Sequence, residues 1–329
     1  MTNALYFCDG ISIHDKNFIK SLSDAIDLNV LDLQSIEGSN PTEVIQDRNP
    51  KVIIVTPVNQ IIDYIPEDFH GAIIGISLAF DLNEIHTENN KKVAKLRLAR
   101  LDGVVVDSEF TREKLIQEFE YKGRICKIVY GLRKPSREIS DKQIPNLSRL
   151  LVTRTWTPIH NNELILEAFL SLRFEHELSI TFIEPNNMND QMLDLTKLQL
   201  EETGVKFLKE MSNESLRALL PSYGVYISAS RSDGTSISLL EAMDSNRICL
   251  ISDFPSNREI VVDGENGFLF KNGNLESLKQ KIMEIQSLTP QEARIIGRRA
   301  KLTVTELANW DQHSKALAEF CVSFEEKVT

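Results

Sequence analysis

Cysteine, long apolar runs, positive charge and closely spaced glycines are all scarce in this chain of 329 residues. Its four cysteines, Cys8, Cys126, Cys249 and Cys321, lie far apart and form no Cys-x-x-Cys pair. The six histidines show no metal-ligand spacing either. We therefore expect no metal site and reduced structural cysteines, as in a cytosolic protein.

No stretch is apolar for long enough to cross a membrane. The longest apolar runs, such as residues 71–80, are far shorter than the ~20 residues that a spanning helix needs. The sequence begins Met-Thr-Asn-Ala, without a basic leader, and continues into a short apolar strand at Leu5. These features predict a soluble protein that stays in the cytoplasm.

Positive charge is in deficit, with 37 Lys and Arg against 48 Asp and Glu and a net charge of −11. Nucleic-acid-binding proteins usually need the opposite balance, so we expect no nucleic-acid partner. With 42% apolar and 26% charged residues, the composition is that of a globular protein, and the length predicts two domains.

Apolar strand-like runs alternate with helical patterns, which predicts parallel sheets covered on both faces. In the first half, strands are predicted at 5–8, 30–33, 52–56, 72–77, 103–107 and 126–130, and helices at 15–26, 83–101 and 111–121. Ser108 or Thr111 can cap the last of these helices. Residues 132–148, polar with two prolines, have the composition of a linker.

The alternation then resumes. Strands are predicted at 150–153, 178–183, 205–208, 224–228, 248–252 and 267–270, and helices at 162–172, 192–202, 213–220, 236–243 and 275–286. Such sheets bind ligands beyond the carboxyl ends of their strands, where the strand order reverses. Two units facing each other would place a cleft between two such ends.

The loop after the fourth strand of the second half carries groups that suit a nucleotide sugar. Gly234, Thr235 and Ser236 offer small side chains and backbone N–H groups at a helix N-terminus, a natural phosphate site. Asp233 and Glu241 are carboxylates that can accept hydrogen bonds from sugar and ribose hydroxyls. The same spacing also fits a Ser/Thr-rich helix cap, with Ser238 and Glu241 as a capping box.

The stretch from Tyr226 to Met243 resembles the nucleotide-sugar site of family 4 of the glycosyltransferases, the "group 1" family, whose fold is GT-B. That family carries two acids separated by seven residues and followed by Ala-Met, here Asp233, Glu241 and Ala242-Met243. The resemblance implies that Asp233 contacts the transferred sugar and Glu241 the ribose. It also implies further donor contacts at Met211, Gly234, Thr235, Ser236 and Ile237.

Residues 151–169 resemble the family's strand, basic loop and helix, where an arginine and a lysine neutralise the leaving diphosphate. Arg154 fills the arginine position, and the lysine position holds His160 or Asn161. The resemblance therefore implies that Arg154 carries the charge and that His160 contributes a hydrogen bond. From the residues alone, a helix-end salt bridge for Arg154 and a structural role for His160 stay open.

In the first half the resemblance is weaker. Gly10 lies in a loop that in the family approaches the donor phosphates and the acceptor. Asp81 matches a family aspartate, whereas Leu78 stands where the family often has a histidine. We therefore expect Gly10 and Asp81 on the acceptor side of the cleft.

Residues 309–324 resemble the family's last helix, which crosses back onto the first domain. The expected architecture is α/β and GT-B: two Rossmann-like parallel-sheet domains that face an interdomain cleft, with a C-terminal helix crossing back to the N-terminal domain. The expected domains are residues 1–148 with the linker 132–148, residues 149–308 for the nucleotide sugar, and residues 309–329 as the crossover helix.

The implied activity is a retaining, hexosyltransferase-type transfer from a nucleotide-diphosphate sugar to a carbohydrate, lipid-linked or other hydroxyl acceptor, in bacterial-type glycan or glycoconjugate synthesis. Such a reaction needs charge stabilisation on the leaving diphosphate. Because no Asp-x-Asp pattern resembles that of metal-dependent transferases, we expect no metal and no cofactor.

Three other classes remain open. A dinucleotide-dependent oxidoreductase would need Gly-x-Gly-x-x-Gly, and no two glycines have its first spacing. A sugar-nucleotide epimerase shares the architecture, although the loop with Asp233 and Glu241 argues against it. A non-catalytic subunit of another transferase is compatible with the missing lysine and histidine.

A basic helix stands out in this acidic chain, with Lys91, Lys92, Lys95, Arg97 and Arg100 close together. It is either a solvated face or a weak peripheral contact with an anionic membrane that carries a lipid-linked acceptor. The second interpretation would place the protein at the inner face of the membrane.

Overall fold

The computed structural model describes residues 3–36, 40–58, 61–83, 85–132, 145–184 and 200–324. The chain divides into two compact units, Met1–Tyr130 with Trp310–Thr329, and Gly131–Asn309. Most of the predicted linker and most of the predicted helix 192–202 lie outside the described residues.

The first unit contains a six-stranded parallel sheet in the order β2-β1-β3-β4-β5-β6. Its strands are β1 Asn3–Cys8, β2 Asp27–Asp32, β3 Val52–Thr56, β4 Ala72–Ile76, β5 Gly103–Val106 and β6 Arg124–Lys127. Its helices include α1 Ile13–Ser23, α2 Pro41–Arg48, α3 Phe80–Asn83, α4 Glu88–Leu98 and α5 Glu109–Gln117. Strands β3, β4 and β5 are buried along their whole length, as expected where helices cover both faces.

The second unit contains a six-stranded parallel sheet in the order β12-β11-β10-β7-β8-β9. Its strands are β7 Arg149–Val152, β8 Ser179–Ile183, β9 Val205–Leu208, β10 Val225–Ser228, β11 Ile248–Asp253 and β12 Phe268–Lys271. Its helices include α6 Asn162–His176, α7 Asn213–Leu219, α8 Ile237–Asp244, α9 Pro255–Arg258, α10 Leu275–Gln286 and α11 Pro290–Leu307. The strand order reverses between β7 and β10, which therefore flank the expected ligand position.

The core of the second unit fixes these two strands. Val152 on β7 and Ile227 on β10 are fully buried, and both belong to one apolar cluster with Phe182 and Leu250. Burial of each such side chain contributes about 1.5–3 kcal/mol. The loops that follow β7 and β10 thus start from a rigid base.

A helix from the end of the described chain completes the first unit. Helix α12, Trp310–Val322, packs against α1, and Trp310 Nε1 donates to Ser21 Oγ at 3.1 Å. The Arg124 guanidinium on the edge strand β6 lies 4.4 Å from the ring centre of Phe324, a cation–π contact. The first unit is therefore built from two separate stretches of sequence.

The division between the units falls after Tyr130, whereas the sequence predicts a first domain of residues 1–148 that includes the linker. The described end of the predicted linker packs with the second unit, since Leu147 lies against its core and accepts a hydrogen bond from Gln286 Nε2 at 2.7 Å.

The predicted helix 83–101 is two helices, α3 and α4. Thr87 separates them because its Oγ1 accepts from Asn90 N at 3.2 Å and so caps α4. Ser108, one of the two predicted caps, accepts from Thr111 N at 3.2 Å and begins α5. Helices α2, α9 and α11 are additional to the predicted elements.

Candidate functional site

Two loops lie side by side at the reversal of strand order in the second unit. One follows β7 and the other follows β10, and these strands pair in parallel, with Leu151 opposite Tyr226. Arg231 N in the second loop donates to Ile159 O in the first at 2.7 Å. The loops therefore form one continuous surface at the carboxyl ends of the central strands.

Arg154 is the centre of this surface. Its Nη2 lies 2.8 Å from Asp233 Oδ2 and 2.7 Å from His160 Nε2. Its Nη1 lies 3.4 Å from Ser236 Oγ. The structure thus brings together four of the predicted site residues, Arg154, His160, Asp233 and Ser236, from both loops. The salt bridge considered for Arg154 exists, but its partner is the loop acid Asp233.

The hydrogen-bond partners of His160 assign its tautomer. Arg154 Nη2 can only donate, so His160 Nε2 accepts and Nδ1 carries the proton. Nδ1 then donates to Thr155 O at 3.0 Å. Burial and the Arg154 charge lower the pKa of His160 below its usual value, although the bond to Thr155 and the Asp233 charge oppose them. His160 is therefore neutral and orients Arg154.

The turn before α8 has the features of an anion site. Ser236 is the N-cap, and its Oγ accepts from Leu239 N at 3.4 Å. Gly234 N donates to Asp233 Oδ1 at 3.0 Å, so the turn is held by its own acid. Thr235 is buried, and Ile237 begins the eight-residue helix. The amino end of α8, where the helix dipole is positive, thus lies beside the Arg154 guanidinium.

Glu241 is buried, at 7% exposure, and does not form the capping box with Ser238. Its Oε1 accepts from Asn213 Nδ2 at 2.9 Å and lies 3.8 Å from Arg217 Nε. The pKa of Glu241 is raised, mainly by burial and also by the negative charge of Asp244. The hydrogen bond from Asn213 and the positive charge of Arg217 act in the opposite direction and lower this pKa. The carboxylate is thus held by side chains from α7.

Sequence reasoning missed Asn213 and Arg217. They follow β9, whereas Glu241 follows β10, and no spacing rule connects helices that follow different strands. Met211 lies in the turn before α7, half-buried and two residues before Asn213. It therefore lies near the same carboxyl edge as Glu241.

Gly10 and Asp81 belong to the first unit. Gly10 follows β1 with φ of +79°, and its N donates to Asp32 Oδ1 at 2.7 Å. Asp81 is buried and accepts from Ser77 Oγ at 2.8 Å and from Val58 N at 3.0 Å. Burial raises the pKa of Asp81 to about 6, although the hydrogen bonds from Ser77 and Val58 lower this pKa in part. Its carboxylate thus binds donors of its own unit.

The basic segment lies on α4 and just after it, and four of its five cations have partners within the first unit. Lys91 lies 3.7 Å from Glu118, Lys95 lies 2.5 Å from Glu120, and Arg97 pairs with Asp63. Arg100 donates to the carbonyl of Ile62 at 2.8 Å, among others. Lys92 is exposed and forms no ion pair with any described residue.

No group of three or more His, Cys, Asp or Glu side chains in the described ranges could hold a metal ion. Within the same part of the chain, every helix is too short or too polar to span a membrane.

Comparison with known proteins points to one group. Residues 149–302 match the family model "Glycosyl transferases group 1". An uncharacterized glycosyltransferase of Methanocaldococcus jannaschii is 26% identical over 261 residues, which cover 75% of this chain and 64% of that protein. Poly(ribitol-phosphate) alpha-N-acetylglucosaminyltransferase of Staphylococcus aureus is 23% identical, over 56% of this chain and 37% of that protein. The chain thus spans less than two thirds of the length of these relatives.

Solved structures share the fold over almost the full chain. HepE of Anabaena, crystallised with UDP and glucose, superposes with a TM-score of 0.78 at 15% identity, covering 98% of this chain and 100% of that chain. Sucrose-phosphate synthase of Thermosynechococcus elongatus also has a TM-score of 0.78, at 14% identity and 98% coverage of both chains. The chain therefore has the GT-B fold, and its residues 149–302 carry the sequence pattern of the group 1 glycosyl transferases.

Proposed function

We propose that this chain is a retaining, metal-independent glycosyltransferase of family 4, which moves a hexosyl group from a nucleotide-diphosphate donor to an acceptor hydroxyl in bacterial-type glycan or glycoconjugate synthesis. One observation carries the proposal: Arg154, held by His160 and Ser236, lies beside the amino end of α8 where the strand order reverses. A cation and a helix N-terminus at this place suit a diphosphate.

The reaction requires a departing anion to be stabilised. The bond between the anomeric carbon and the β-phosphate oxygen breaks, and its electron pair remains on that oxygen. The acceptor oxygen bonds to the same carbon, and its proton passes to the departing diphosphate. The diphosphate gains negative charge in the transition state, so a fixed guanidinium stabilises that state more than the bound donor.

The two acids have separate binding roles in this proposal. Asp233 accepts hydrogen bonds from hydroxyls of the transferred sugar, and Glu241 accepts them from the ribose. Glu241 suits its role because Asn213 and Arg217 orient one carboxylate oxygen, Oε1. Metal independence is supported by the lack of an Asp-x-Asp pattern and by the presence of Arg154 where a counter-charge is needed.

The donor proposed first is a uridine diphosphate sugar. Support comes from HepE, whose fold matches over the full chain and which was solved with UDP and glucose. The proposed acceptor is a carbohydrate or lipid-linked hydroxyl, in line with the transferase activity named for the S. aureus relative. The protein would then act in the cytoplasm or at the inner face of the membrane.

A panel of nucleotide sugars tests the proposal on the full chain. We expect one nucleoside diphosphate among UDP, GDP, ADP and dTDP to raise the melting temperature, because a ligand of the folded state stabilises it. The matching nucleotide sugar should be hydrolysed slowly, or transferred to an acceptor, in excess EDTA. A chain that binds no member of the panel, or that needs a divalent cation for turnover, contradicts the proposal.

A non-catalytic binding subunit is the second candidate. It is favoured by the charge of the site, since Asp233 offsets Arg154 and His160 is neutral. Tight binding of a nucleotide sugar without hydrolysis or transfer would indicate this function. Interconversion of the donor sugar without an acceptor would instead indicate an epimerase.

A further inference from the structure

We propose that Arg231 contacts the donor diphosphate and supplies the second positive charge of the site. This inference rests on the proposed function and deepens it. Arg231 lies in the loop after β10, two residues before Asp233, and was not among the residues expected to bind the donor.

The charges of the two loops motivate the proposal. Arg154 is paired with Asp233, so the two together contribute no net charge. His160 accepts a hydrogen bond from Arg154 and is neutral. Arg231 has no carboxylate partner among the described residues. Arg231 thus provides the uncompensated positive charge of these loops.

The position of Arg231 fits this role. Its Nη2 donates to Asn161 Oδ1 at 3.0 Å, and its Nε lies 3.3 Å from Pro158 O. The Arg154 guanidinium contacts His160, the residue before Asn161. Two guanidinium groups from different loops therefore contact adjacent residues of one loop.

Arg231 is also held before any ligand binds. Its N donates to Ile159 O at 2.7 Å, and its O accepts from Asn272 Nδ2 at 2.7 Å. Its Nη1 makes no hydrogen bond within the described part of the chain, and the side chain is exposed. Little conformational freedom remains to be lost when these donors meet a phosphate.

The chemistry of the step explains why a second cation matters. The diphosphate of a bound nucleotide sugar carries two negative charges, and it gains about one more as its bond to the anomeric carbon breaks and before the acceptor proton reaches it. Guanidinium groups bind phosphate oxygens through charge-assisted hydrogen bonds, often two at once. Arg231 would therefore favour the departing diphosphate more than the intact donor.

Calorimetric titration with UDP, UMP and uridine tests the proposal. We expect Arg231→Gln to weaken UDP binding about tenfold, the binding of uridine less than about twofold, and the binding of UMP to an intermediate degree. Arg231→Lys should keep UDP affinity within about threefold, because it retains the charge. Arg298→Gln is the matched control, since Arg298 is an exposed arginine on α11, and it should leave all three affinities unchanged.

Three outcomes overturn the proposal, and only the last of them also overturns the proposed function. Equal weakening of UDP and uridine by Arg231→Gln would make Arg231 a structural link between loops, and unchanged UDP affinity would exclude its contact with the diphosphate. The proposed function would survive either result. Failure of the unaltered chain to bind UDP, GDP, ADP or dTDP would overturn the proposed function together with this inference.

Discussion

Arg154 Nη2 and Asp233 Oδ2 are 2.8 Å apart, although their loops follow strands that are far apart in the sequence. The pair forms because β7 and β10 are neighbours on either side of the reversal in strand order. Both side chains are largely buried, so their charges interact more strongly than at a surface. Without donor, the guanidinium is thus neutralised by the acid proposed to bind the sugar.

This pairing predicts that Asp233→Asn has opposite effects on the affinity for the product UDP and on the rate of transfer. The amide no longer neutralises Arg154, so we expect UDP to bind about threefold to tenfold more tightly, the range expected for a modest ion pair. Transfer should fall about tenfold or more, because an amide oxygen is a weaker acceptor for sugar hydroxyls than a carboxylate. Calorimetry and initial rates measure the two effects, and a loss of both would contradict the assigned role.

Glu241→Gln tests the proposed ribose contact. The amide oxygen still accepts from Asn213, so the fold should survive, but we expect kcat/KM to fall about 10- to 100-fold, the cost of losing a charged hydrogen bond. The unaltered chain should prefer UDP over 2′-deoxy-UDP, and the variant should not. Glu276→Gln, an exposed acid on α10, is the control. An unchanged preference for UDP would refute the assignment.

His160→Gln should change how stability depends on pH. Folding lowers the pKa of His160, so its neutral form is favoured in the folded chain. The neutral imidazole contributes fully to the free energy of unfolding above about pH 6.5, the ordinary pKa of histidine. This contribution is lost as the pH falls through the lowered pKa of His160 in the folded chain. Below about pH 6.5 the unaltered chain should therefore lose stability faster than the variant, as measured by urea unfolding. Parallel pH curves would show that folding leaves the pKa of His160 unchanged.

Asp81→Asn tests whether Asp81 stabilises the fold or binds the acceptor substrate. Folding raises the pKa of Asp81 to about 6, so its contribution is complete below its ordinary pKa of 3.8 and is lost as the pH rises towards about 6. The variant should show a smaller change in the free energy of unfolding over this window. We expect its KM for the acceptor to stay within about twofold of that of the unaltered chain, because the Asp81 carboxylate already accepts hydrogen bonds from Ser77 and Val58. A much larger KM with unaltered stability would restore the acceptor role.

The ion pairs of helix α4 predict how strongly this helix can bind an anionic membrane. Since Lys91, Lys95 and Arg97 are paired, contact with anionic lipid would depend on Lys92 and on the exposed Leu96. We expect weak co-sedimentation with phosphatidylserine vesicles at low salt, lost near physiological ionic strength, where charges are screened beyond about 8 Å. Lys92→Glu and Leu96→Glu should each reduce it. Binding that neither substitution affects would rule out α4 as the contact.

The sheet order could not be read from the sequence, but the strands could. The parallel sheets expected from alternation are confirmed, and buried strands such as Val52–Thr56 match their predicted bounds, because a strand covered on both faces is continuously apolar. The edge strands β2 and β6 begin three and two residues earlier than predicted, at Asp27 and Arg124. Edge strands bury fewer side chains, so their apolar pattern is less complete.

Helices α2 and α11 differ in how clearly the sequence signals a helix. Helix α2 buries one side chain, Ile45, and so has almost no apolar period. Helix α11 has a clear start signal, because Thr289 and Glu292 form a capping box around Pro290. Only this second helix could have been found from its sequence.

The site shows a similar limit. Resemblance placed Arg154, Asp233 and Glu241 in one site, and the structure adds their geometry. The links from Arg231 to Asn161 and from Asn213 to Glu241 could not be predicted, because they depend on which loops the strand order brings together.

The placement of α12 in the first unit affects how the protein is made. A ribosome releases residues 1–130 early, but Trp310 and the tail that packs on α1 emerge only after the whole second unit. Domains usually fold in the order of synthesis. The first unit therefore stays incomplete until the second unit has left the ribosome, and during translation the second unit is expected to finish folding first.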